Sequence, residues 1–322
     1  MKCKEYKIAV VLVNWNGGEF TIPCIASLLE GSSCPDWIIV VDNGSEDGSV
    51  DMVGEKWPDV VIIRNESNLG FATANNQGVG RALALGATYV WLLNNDTVVA
   101  QNCLASLIHG VEVMPNAACY TTKIFYAQPS NMLWYDGGSW HPLHYSAMHI
   151  NQKKDDMETG STDVLATDYI SGCSMFMPVD TVKKYGLFCG NYIAYSEDAD
   201  FCLRLRKQQC TLCYVKGAMI WHKVSASLKK NNNQAMSCDV PPMGMYLMVR
   251  NNFWTIRRNY TLLLRFFLML VHIAISMKMI LFYVVKRNYL IINSVINGVR
   301  QGIGFDLDKL ESNAVDIGRF NS

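Results

Sequence analysis

Three acidic side chains at the start of one helical pattern are the most reactive-looking group in this chain. Glu197, Asp198 and Asp200 lie where the helix macrodipole favours negative charge, and that dipole also keeps a carboxylate ionised at neutral pH. An ionised carboxylate that faces a hydroxyl group in a dry cleft is the general base that transfer to an alcohol requires. The alternative interpretation is a purely structural helix start.

A second group, Asn94-Asn95-Asp96, follows an apolar run. A carboxylate with amide oxygens suits Mg²⁺ or Mn²⁺ bridging a diphosphate, although these residues also fit a simple helix start. His222 ends a later apolar run and, taken alone, is more typical of a buried structural histidine than of a ligand. Cys210 and Cys213 lack a second Cys/His pair at zinc spacing, so we interpret them as unrelated thiols.

The segment 42–49 (Asp-Asn-Gly-Ser-Glu-Asp-Gly-Ser) follows another apolar run. Its structural interpretation is a turn with Ser49 capping a helix. Its functional interpretation is a nucleotide pocket in which Asp42 accepts an N–H from the base. Uracil and thymine carry an N3–H and cytosine does not. This chemistry favours a uracil or thymine nucleotide over a cytosine nucleotide, and a guanine nucleotide stays open because guanine has an N1–H.

Elements that alternate along the first hundred residues must position these groups. Continuous apolar runs, typical of buried parallel strands, occupy Ile8–Val13, Trp37–Val41, Val60–Ile63 and Tyr89–Leu93. Helical spacing covers residues 22–29 and 72–85. The alternation predicts an α/β fold with a mostly parallel sheet flanked by helices. Ligands bind beyond the carboxyl ends of such strands, where polar residues follow each run.

The rest of the chain divides into a less regular stretch and a basic helical region. Residues 120–167 predict loops and short strands that cover a site, with Trp134 and Trp140 as candidates to stack on a sugar. Strands over 173–177, 211–215 and 218–222 and helices after Pro178 and over 201–209 complete this part. Residues 243–300 are helical in pattern, rich in Met and Leu, and basic. We therefore predict a catalytic domain over 1–235 and a helical region over 236–322.

Composition excludes several classes of protein. Among 322 residues, Lys plus Arg and Asp plus Glu both number 28, so no overall field attracts nucleic acid. No Walker A sequence is present, and Gly78 and Gly80 lie in a helical pattern, which disfavours P-loop and NAD enzymes. The 11 cysteines are scattered among apolar runs and no signal peptide precedes them, so we expect reduced thiols in a cytosolic chain.

Four motifs occur in a fixed order: Val-Leu-Val-Asn-Trp-Asn-Gly at 11–17, Val-Asp-Asn-Gly-Ser at 41–45, Asn-Leu-Gly-Phe at 68–71 with Asn75-Asn76, and Leu-Leu-Asn-Asn-Asp-Thr at 92–97. Ser-Gly-Cys at 171–173 and the acidic segment 195–204 follow them. Together they resemble family 2 glycosyltransferases of the GT-A fold, and most of all the bacterial rhamnosyltransferase-like subgroup. The resemblance covers residues 7 to about 224.

The resemblance implies a role for each matching residue. Asp42 would hold the base, Asp96 the metal with His222 as a further ligand, and Asp198 would be the catalytic base with Glu197 assisting acceptor binding. The implied nucleotide-sugar site comprises Asn14, Asn16, Asp42, Asn43, Ser45, Asn68, Gly70, Asn75, Asn94 and Asn95. The implied cofactor is Mn²⁺ or Mg²⁺. Asn94 stands where the family usually has Asp, so the motif offers the metal one carboxylate.

The expected function is an inverting transfer from a nucleoside-diphosphate sugar, dTDP-rhamnose or a UDP-sugar, to a hydroxyl of a lipid-linked or polysaccharide acceptor in bacterial surface polysaccharide (O-antigen or capsule) assembly. A non-catalytic protein that binds nucleotide sugar or lipid carrier on a degenerate transferase domain is the alternative. A nucleotidyltransferase needs a Gly- and Arg-rich signature after the first strand, and Asn-Trp-Asn-Gly-Gly at 14–18 is different.

The apolar segment Phe266–Val285 is long enough to span a bilayer. Lys278 would then lie deep in hydrocarbon at a cost of roughly 2.5–3.5 kcal/mol, and cations flank both ends. Helices in the plane of an anionic leaflet fit the same pattern, and a helical lid packed on the catalytic domain is the other option. We expect a peripheral or monotopic protein on the cytoplasmic face of the inner (plasma) membrane. The oligomeric state stays open.

Overall fold

The computed structural model describes residues 6–157, 160–223, 240–304 and 306. Its first part alternates strands and helices as the sequence predicts: β1 Ile8–Asn14, α1 Gly18–Leu29, β2 Trp37–Asp42, α2 Ser49–Lys56, β3 Val61–Arg64, α3 Phe71–Ala84 and β4 Tyr89–Asn94. The four strands are parallel, in the order β4-β1-β2-β3. The register pairs Asn14 with Asp42 and Val13 with Asn94, so the polar strand ends meet at one edge.

The same sheet continues through an antiparallel strand. The later elements are β5 Thr97–Val99, α4 Cys103–Val113, β6 Cys119–Tyr126, β7 Leu133–Tyr135, β8 Gly138–Trp140, β9 Ala147–His149, β10 Val164–Thr167, β11 Ser174–Pro178, α5 Val179–Tyr185, α6 Glu197–Lys207 and β12 Leu212–His222. β11 runs antiparallel to β4, and β12 runs parallel to β6. The predicted mostly parallel α/β sheet flanked by helices is confirmed.

β12 differs from its prediction in one respect. The sequence predicts two strands, over 211–215 and 218–222, because Lys216 and Gly217 interrupt the apolar run. The structure has one strand whose register shifts between Val215 and Met219, where a bulge absorbs the extra residues. The strand therefore reaches without a break to His222, beside β5.

A buried ion pair fixes the irregular stretch between β6 and β10. Lys123 Nζ lies 2.9 Å from Asp156 Oδ2, and both side chains are under 10% exposed. A buried pair of this kind is costly to break because the remaining charge would have no partner. The pair therefore holds this stretch to the face of the sheet.

Three helices, α7 Pro242–Asn259, α8 Leu262–Val285 and α9 Tyr289–Gly304, complete the described chain. α7 and α9 approach closely: a Cβ at Gly302 would lie 2.6 Å from Cβ of Phe253. α7 also contacts α6 through Asp200, whose fully buried carboxylate accepts hydrogen bonds from Arg204, Arg258 and Asn259. The predicted boundary near residue 235 stays a prediction.

α8 is long and apolar enough to cross a membrane by length and composition, with a mean hydropathy of 2.1 in its most apolar window. Only 17% of that window is buried. Leu263 is 85% exposed, Phe266 65% and Leu281 65%. α8 is thus not a core helix: one side packs on the other helices through residues such as Leu268 and Ile273, and about half of its apolar side chains are exposed in the described chain.

Candidate functional site

A network of buried polar side chains joins the ends of β1 and β2. Nδ2 of Asn14 donates to Asp42 Oδ1 at 3.0 Å, and to the hydroxyls of Ser45 at 3.1 Å and Ser49 at 2.8 Å. Its Oδ1 accepts from the Thr21 hydroxyl at 2.7 Å. Ser49 therefore does not cap α2. Gly48 is the N-cap residue, and the Ser49 hydroxyl instead accepts the hydrogen bond from Asn14. The network fixes the strand ends relative to each other.

A second polar group lies between β2 and α3. Nδ2 of Asn43 donates to Asn68 Oδ1 at 2.9 Å and to the Gly70 carbonyl at 3.3 Å. Gly70 has φ of +85°, and a Cβ there would lie 2.8 Å from the carbonyl oxygen of Ile193. Glycine is required because the backbone of residue 193 passes directly over this turn.

Asp96 and His222 come together as the resemblance implies. His222 Nε2 lies 3.0 Å from Asp96 Oδ1, and both side chains are largely buried. Burial lowers the pKa of His222, but the Cys173 thiol and the Asp96 carboxylate raise it, to about 10 overall. Nδ2 of Asn94 lies 3.5 Å from the same imidazole nitrogen. In the described chain, the buried Oδ1 of Asn94 has no hydrogen-bond partner.

The carboxylate of Asp198 is held from three directions at the start of α6. Its Oδ2 accepts from the Tyr169 hydroxyl at 2.6 Å and from the Gly172 amide at 2.8 Å, and its Oδ1 accepts from the amide of Ala199 at 2.7 Å. A Cβ at Gly172 would lie 3.4 Å from Asp198 and 3.6 Å from the Phe71 ring. These contacts give the carboxylate one orientation.

Glu197 has a different environment from its neighbour. Its side chain is buried, and its Oε2 has no hydrogen-bond partner among the described residues. Burial raises the pKa of Glu197 well above its usual range, and the nearby charge of Asp198 adds to this. The raised pKa favours the protonated form of the Glu197 carboxyl group relative to an ordinary glutamate.

The segment that leads into α6 is strained. Ile193, Tyr195 and Ser196 all have φ between +65° and +68°. Non-glycine residues in this region cost of the order of 1–3 kcal/mol each and persist only where the surroundings hold them. Such strain is typical of functional sites.

A cavity of about 690 Å³ opens at the carboxyl ends of β1, β2 and β4. Predicted site residues that line it are Asn43, Asn68, Gly70, Asn94, Asn95 and Asp96. Apolar side chains also line it, among them Trp15, Phe71, Ile193, Met243 and Leu247. The volume is in the range of small-molecule sites. The structure thus brings the polar ends of the parallel strands and the start of α7 to one cavity.

Other predicted residues take supporting positions in the described chain. Asp42 is 4% exposed, and its second oxygen accepts from the Ser45 amide at 3.3 Å. Oδ1 of Asn16 accepts from the Glu46 amide, while Asn75 donates within α3 to the Phe71 carbonyl. Of the predicted site residues, Asn14, Asn16, Asp42, Ser45 and Asn75 are not among those that line the cavity. Their roles in nucleotide binding remain predictions.

The two tryptophans pack on residues of the site. The ring of Trp134 lies edge-on 4.8 Å from His222, and that of Trp140 lies 5.7 Å from Tyr169. Nε1 of Trp140 donates to the Asp168 carbonyl. Both rings therefore support residues that contact Asp96 or Asp198, and their stacking on a sugar remains a prediction.

Sequence reasoning missed three residues. Lys223 donates its amide to the Asp96 carbonyl at 2.9 Å and places Nζ 4.9 Å from the centre of the Phe20 ring, which lines the cavity. Arg250 and Asn251 are buried in α7 against the strained segment. The available signal was position alone: Lys223 directly follows His222, and Arg-Asn interrupts the apolar side of a helix.

Comparison with known families and proteins agrees with this geometry. Residues 9–178, a little over half of the chain, match the family described as Glycosyl transferase family 2. The N-acetylglucosaminyl-diphospho-decaprenol L-rhamnosyltransferase of Mycobacterium tuberculosis is 22% identical over 268 residues, 77% of this chain and 86% of that protein. Glycosyltransferase GlyG of Streptococcus pneumoniae serotype 4 is 28% identical over 108 residues, 33% of this chain and 35% of that protein.

The fold also resembles a solved structure. The crystal structure of GalNAc-T7 with UDP, GalNAc and Mn²⁺ superposes with a TM-score of 0.61 at 15% sequence identity, over 80% of this chain. This chain spans about half of that one, 48% of its length. The likeness supports the GT-A fold that the motifs imply.

Proposed function

Because the chain belongs to glycosyl transferase family 2, we propose that it transfers a sugar, with inversion, from a nucleoside-diphosphate donor to a hydroxyl of a lipid-linked or polysaccharide acceptor. One observation carries this proposal: a single cavity is lined by Asn43, Asn68, Asn94, Asn95 and Asp96. The carboxylate of Asp198 does not line this cavity, but it is held in one orientation by Tyr169 and Gly172, and a Cβ at Gly172 would lie 3.6 Å from the lining residue Phe71. This arrangement supports a nucleotide sugar in the cavity and a general base near it.

The proposed donor is dTDP-rhamnose or a UDP-sugar. The motif resemblance assigns Asp42 to a base with an N–H on its edge, and the M. tuberculosis relative is named a rhamnosyltransferase. That relative's name also supports a lipid diphosphate acceptor, as in bacterial surface polysaccharide assembly. The apolar lining of the cavity, with Ile193 and Leu247, suits the methyl group of a deoxy sugar.

Residues at the ends of β4 and β12 would hold a divalent cation beside the donor diphosphate. Asp96 would offer a carboxylate and the unpartnered Oδ1 of Asn94 an amide oxygen, and His222 would ligate only after losing the proton that its raised pKa retains. Mg²⁺ and Mn²⁺ in such sites take one or two protein carboxylates and complete their coordination with phosphate and water. When bound, the cation neutralises charge on the departing diphosphate.

Asp198 would act on the acceptor. Its carboxylate takes the proton from the acceptor hydroxyl as that oxygen forms its bond to the anomeric carbon and the bond to the diphosphate breaks. Tyr169 and Gly172 hold the carboxylate for this step. Lys223 adds a positive charge near the leaving group, which matters because the described residues that line the cavity include no lysine or arginine.

We propose that the exposed face of α8 and α9 contacts an anionic membrane surface on the cytoplasmic side. Residues 241–305 contain eight lysines and arginines and no acidic residue. Exposed apolar side chains such as Leu263, Phe266 and Leu290 lie in the same helices. An apolar face flanked by cations is the pattern of helices that lie in the headgroup region.

The test is a panel of nucleotide sugars incubated with purified full-length protein and a lipid diphosphate acceptor, with released nucleoside diphosphate measured. Transfer from one donor, with an inverted anomeric configuration in the product by NMR, is the expected result. Binding of a nucleotide sugar with no release from any donor would instead favour the non-catalytic alternative. A product with retained configuration would contradict the single displacement.

A further inference from the structure

Five consecutive backbone carbonyls lead into the first turn of α6, and each has a named donor. The carbonyls of Asn191 and Tyr192 accept from Arg250 Nη2 at 3.0 and 3.1 Å. The carbonyl of Ile193 accepts from the Ala72 amide at 3.1 Å. The carbonyls of Tyr192, Ala194 and Tyr195 accept from Asn251 Nδ2 at 3.0, 2.8 and 2.7 Å. A complete set of this kind shows that segment 191–195 has one backbone conformation.

Most of these donors come from two side chains of α7. Nε of Arg250 donates to Asn251 Oδ1 at 2.9 Å, so the guanidinium fixes which way the amide points. The guanidinium lies 4.0 Å from the centre of the Trp254 ring. Asn251 is fully buried and Arg250 is 7% exposed. The two side chains form a rigid donor pair rather than a solvent-exposed contact.

The conformation that this pair holds is one the segment would not keep by itself. Ile193 and Tyr195 have positive φ, which non-glycine residues adopt only where neighbours hold them. The three carbonyls that Asn251 bonds have no α-helix or sheet partner in the described chain. The Asn251 amide supplies hydrogen bonds to all three. Loss of that amide therefore frees the strained residues to relax.

Segment 191–195 matters because of what surrounds it. Ile193, Ala194 and Tyr195 line the cavity, and Asp198 follows three residues later on the helix that the segment begins. We infer that Arg250 and Asn251 are positioning residues: they hold segment 191–195 so that the cavity wall and the Asp198 carboxylate keep their working geometry. This inference deepens the proposed function and rests on it for the role of Asp198.

The chain offers a matched control. Asn259 lies on the same helix, is also buried, and joins α7 to α6 by donating to Asp200 Oδ1 at 2.7 Å. It does not bond to segment 191–195 in the described structure. Asn251→Ala and Asn259→Ala therefore each remove a buried asparagine that anchors α7 to the rest of the protein, but only the first removes donors from the segment.

The experiment compares both variants with the full-length protein in steady-state transfer, nucleoside diphosphate binding and amide hydrogen exchange. We expect Asn251→Ala to lower kcat about 10- to 100-fold, the range seen when a group that orients a functional residue is lost. The dissociation constant for the nucleoside diphosphate should stay within about twofold, because Asn43, Asn68 and Asn95 are untouched. Asn259→Ala should lower Tm by a similar amount to Asn251→Ala, but its kcat should stay at the value of the unmodified protein.

Hydrogen exchange separates failure of this inference from failure of the proposed function. Amides of 193–198 should exchange faster in Asn251→Ala than in Asn259→Ala, whether or not a donor sugar has been identified. Arg250→Lys, which keeps the charge but loses the fork to two carbonyls, should show the same change if Asn251→Ala does not fold. Equal exchange over 193–198 and equal kcat in the Asn251 and Asn259 variants would overturn the inference.

Discussion

Two parts of the molecule are about equally apolar in sequence but differ in burial: the strands β1, β2 and β4, and the helix α8. In the strands, side chains such as Val11, Ile39 and Leu92 are fully buried. In α8, Leu263 and Phe266 remain mostly exposed. Hydrophobicity alone therefore does not indicate a core. The strands are buried beneath the flanking helices, whereas one side of α8 remains exposed in the described chain.

The same two parts differ in how they use buried asparagines. Asn14 lies within the part that matches the family and joins side chains to side chains at the strand ends. Asn251 lies beyond that part and joins a side chain to backbone carbonyls. Bonds between side chains restrict the residue type at every position involved, so they are visible in the sequence as a motif. A side chain that bonds to backbone carbonyls restricts only its own position, so the sequence shows almost no sign of it.

Asp198→Asn tests most directly whether chemistry resides in the catalytic half. We expect turnover to fall about 10²- to 10⁴-fold, because an amide cannot take the acceptor proton, while nucleotide binding stays nearly unchanged. Single-turnover transfer and donor titration measure the two quantities. Asp180→Asn, at an exposed position, is the control. Wild-type turnover in Asp198→Asn would place the base elsewhere, with Glu197 as the next candidate.

Asp96→Ala should remove both transfer and the part of nucleotide binding that depends on Mn²⁺ or Mg²⁺. The expected loss exceeds the roughly 10- to 100-fold typical of groups that only support metal ligands. Calorimetric titration of the nucleoside diphosphate with and without metal measures it. Full activity of the unmodified enzyme in excess EDTA would contradict a metal role for Asp96.

Asp42→Ala should weaken nucleotide binding equally with and without metal. Losing a hydrogen bond to a charged group costs about 1.5–3 kcal/mol, or roughly 10- to 150-fold in Kd. Asp51→Ala, an exposed residue paired with Arg64, controls for the loss of negative charge. An unchanged Kd in Asp42→Ala would show that the base binds elsewhere.

Leu263→Gln and Phe266→Gln test the other side of the comparison. Each should weaken co-sedimentation with vesicles containing anionic lipid by about tenfold, because burial of such a side chain is worth about 1.5–3 kcal/mol. Turnover on a soluble acceptor should not change. Met157→Gln, at a 90% exposed apolar residue outside α7–α9, is the matched control. If full-length protein ignores such vesicles, the membrane proposal fails.

Glu197 gives the smallest expected effect, on the pH dependence of stability. Above the ordinary glutamate pKa the unfolded chain has lost this proton while the folded chain keeps it, so the free energy of unfolding falls as pH rises. The slope is at most about 1.4 kcal/mol per pH unit. Denaturant titrations at several pH values should show a flatter dependence in Glu197→Gln than in Glu30→Gln. Identical slopes would contradict a raised pKa.

Local pattern was sufficient for the parallel strands, for α1 and α3, and for the helical character of residues 243–300. It did not predict α4 or the individual short strands β5 and β7 to β10. The apolar runs of β1, β2 and β4 are bounded by polar residues, and each strand begins where its run begins. The edge where the strand ends meet follows from parallel order, so the meeting of Asn14 with Asp42 was predictable. The motifs then supplied the family.

What sequence could not supply depends on contacts between distant segments. Asp200 stands beside Glu197 and Asp198 in the same acidic run, yet it is a structural anchor because Arg258 arrives from another helix. The role of Asn251 depends on carbonyls about sixty positions earlier. Trp134 contacts His222 only because the separate strands β7 and β12 bring the two rings together. The spacing of these residues along the chain does not reveal that they are close in space.

The Asp200 cluster has a consequence for building chimeras within this family. The Asp200 carboxylate accepts hydrogen bonds from Arg204 on its own helix and from Arg258 and Asn259 at the end of α7. The helices α6 and α7 should therefore be exchanged together. A graft joined before α7 would bring a mismatched set of cations to a buried charge. A junction at Tyr260 and Thr261, between α7 and α8, keeps Asp200, Arg204, Arg258 and Asn259 in segments from the same protein. The side of α9 that packs on α7 would have to be kept in such a chimera, because a Cβ at Gly302 would lie 2.6 Å from Cβ of Phe253.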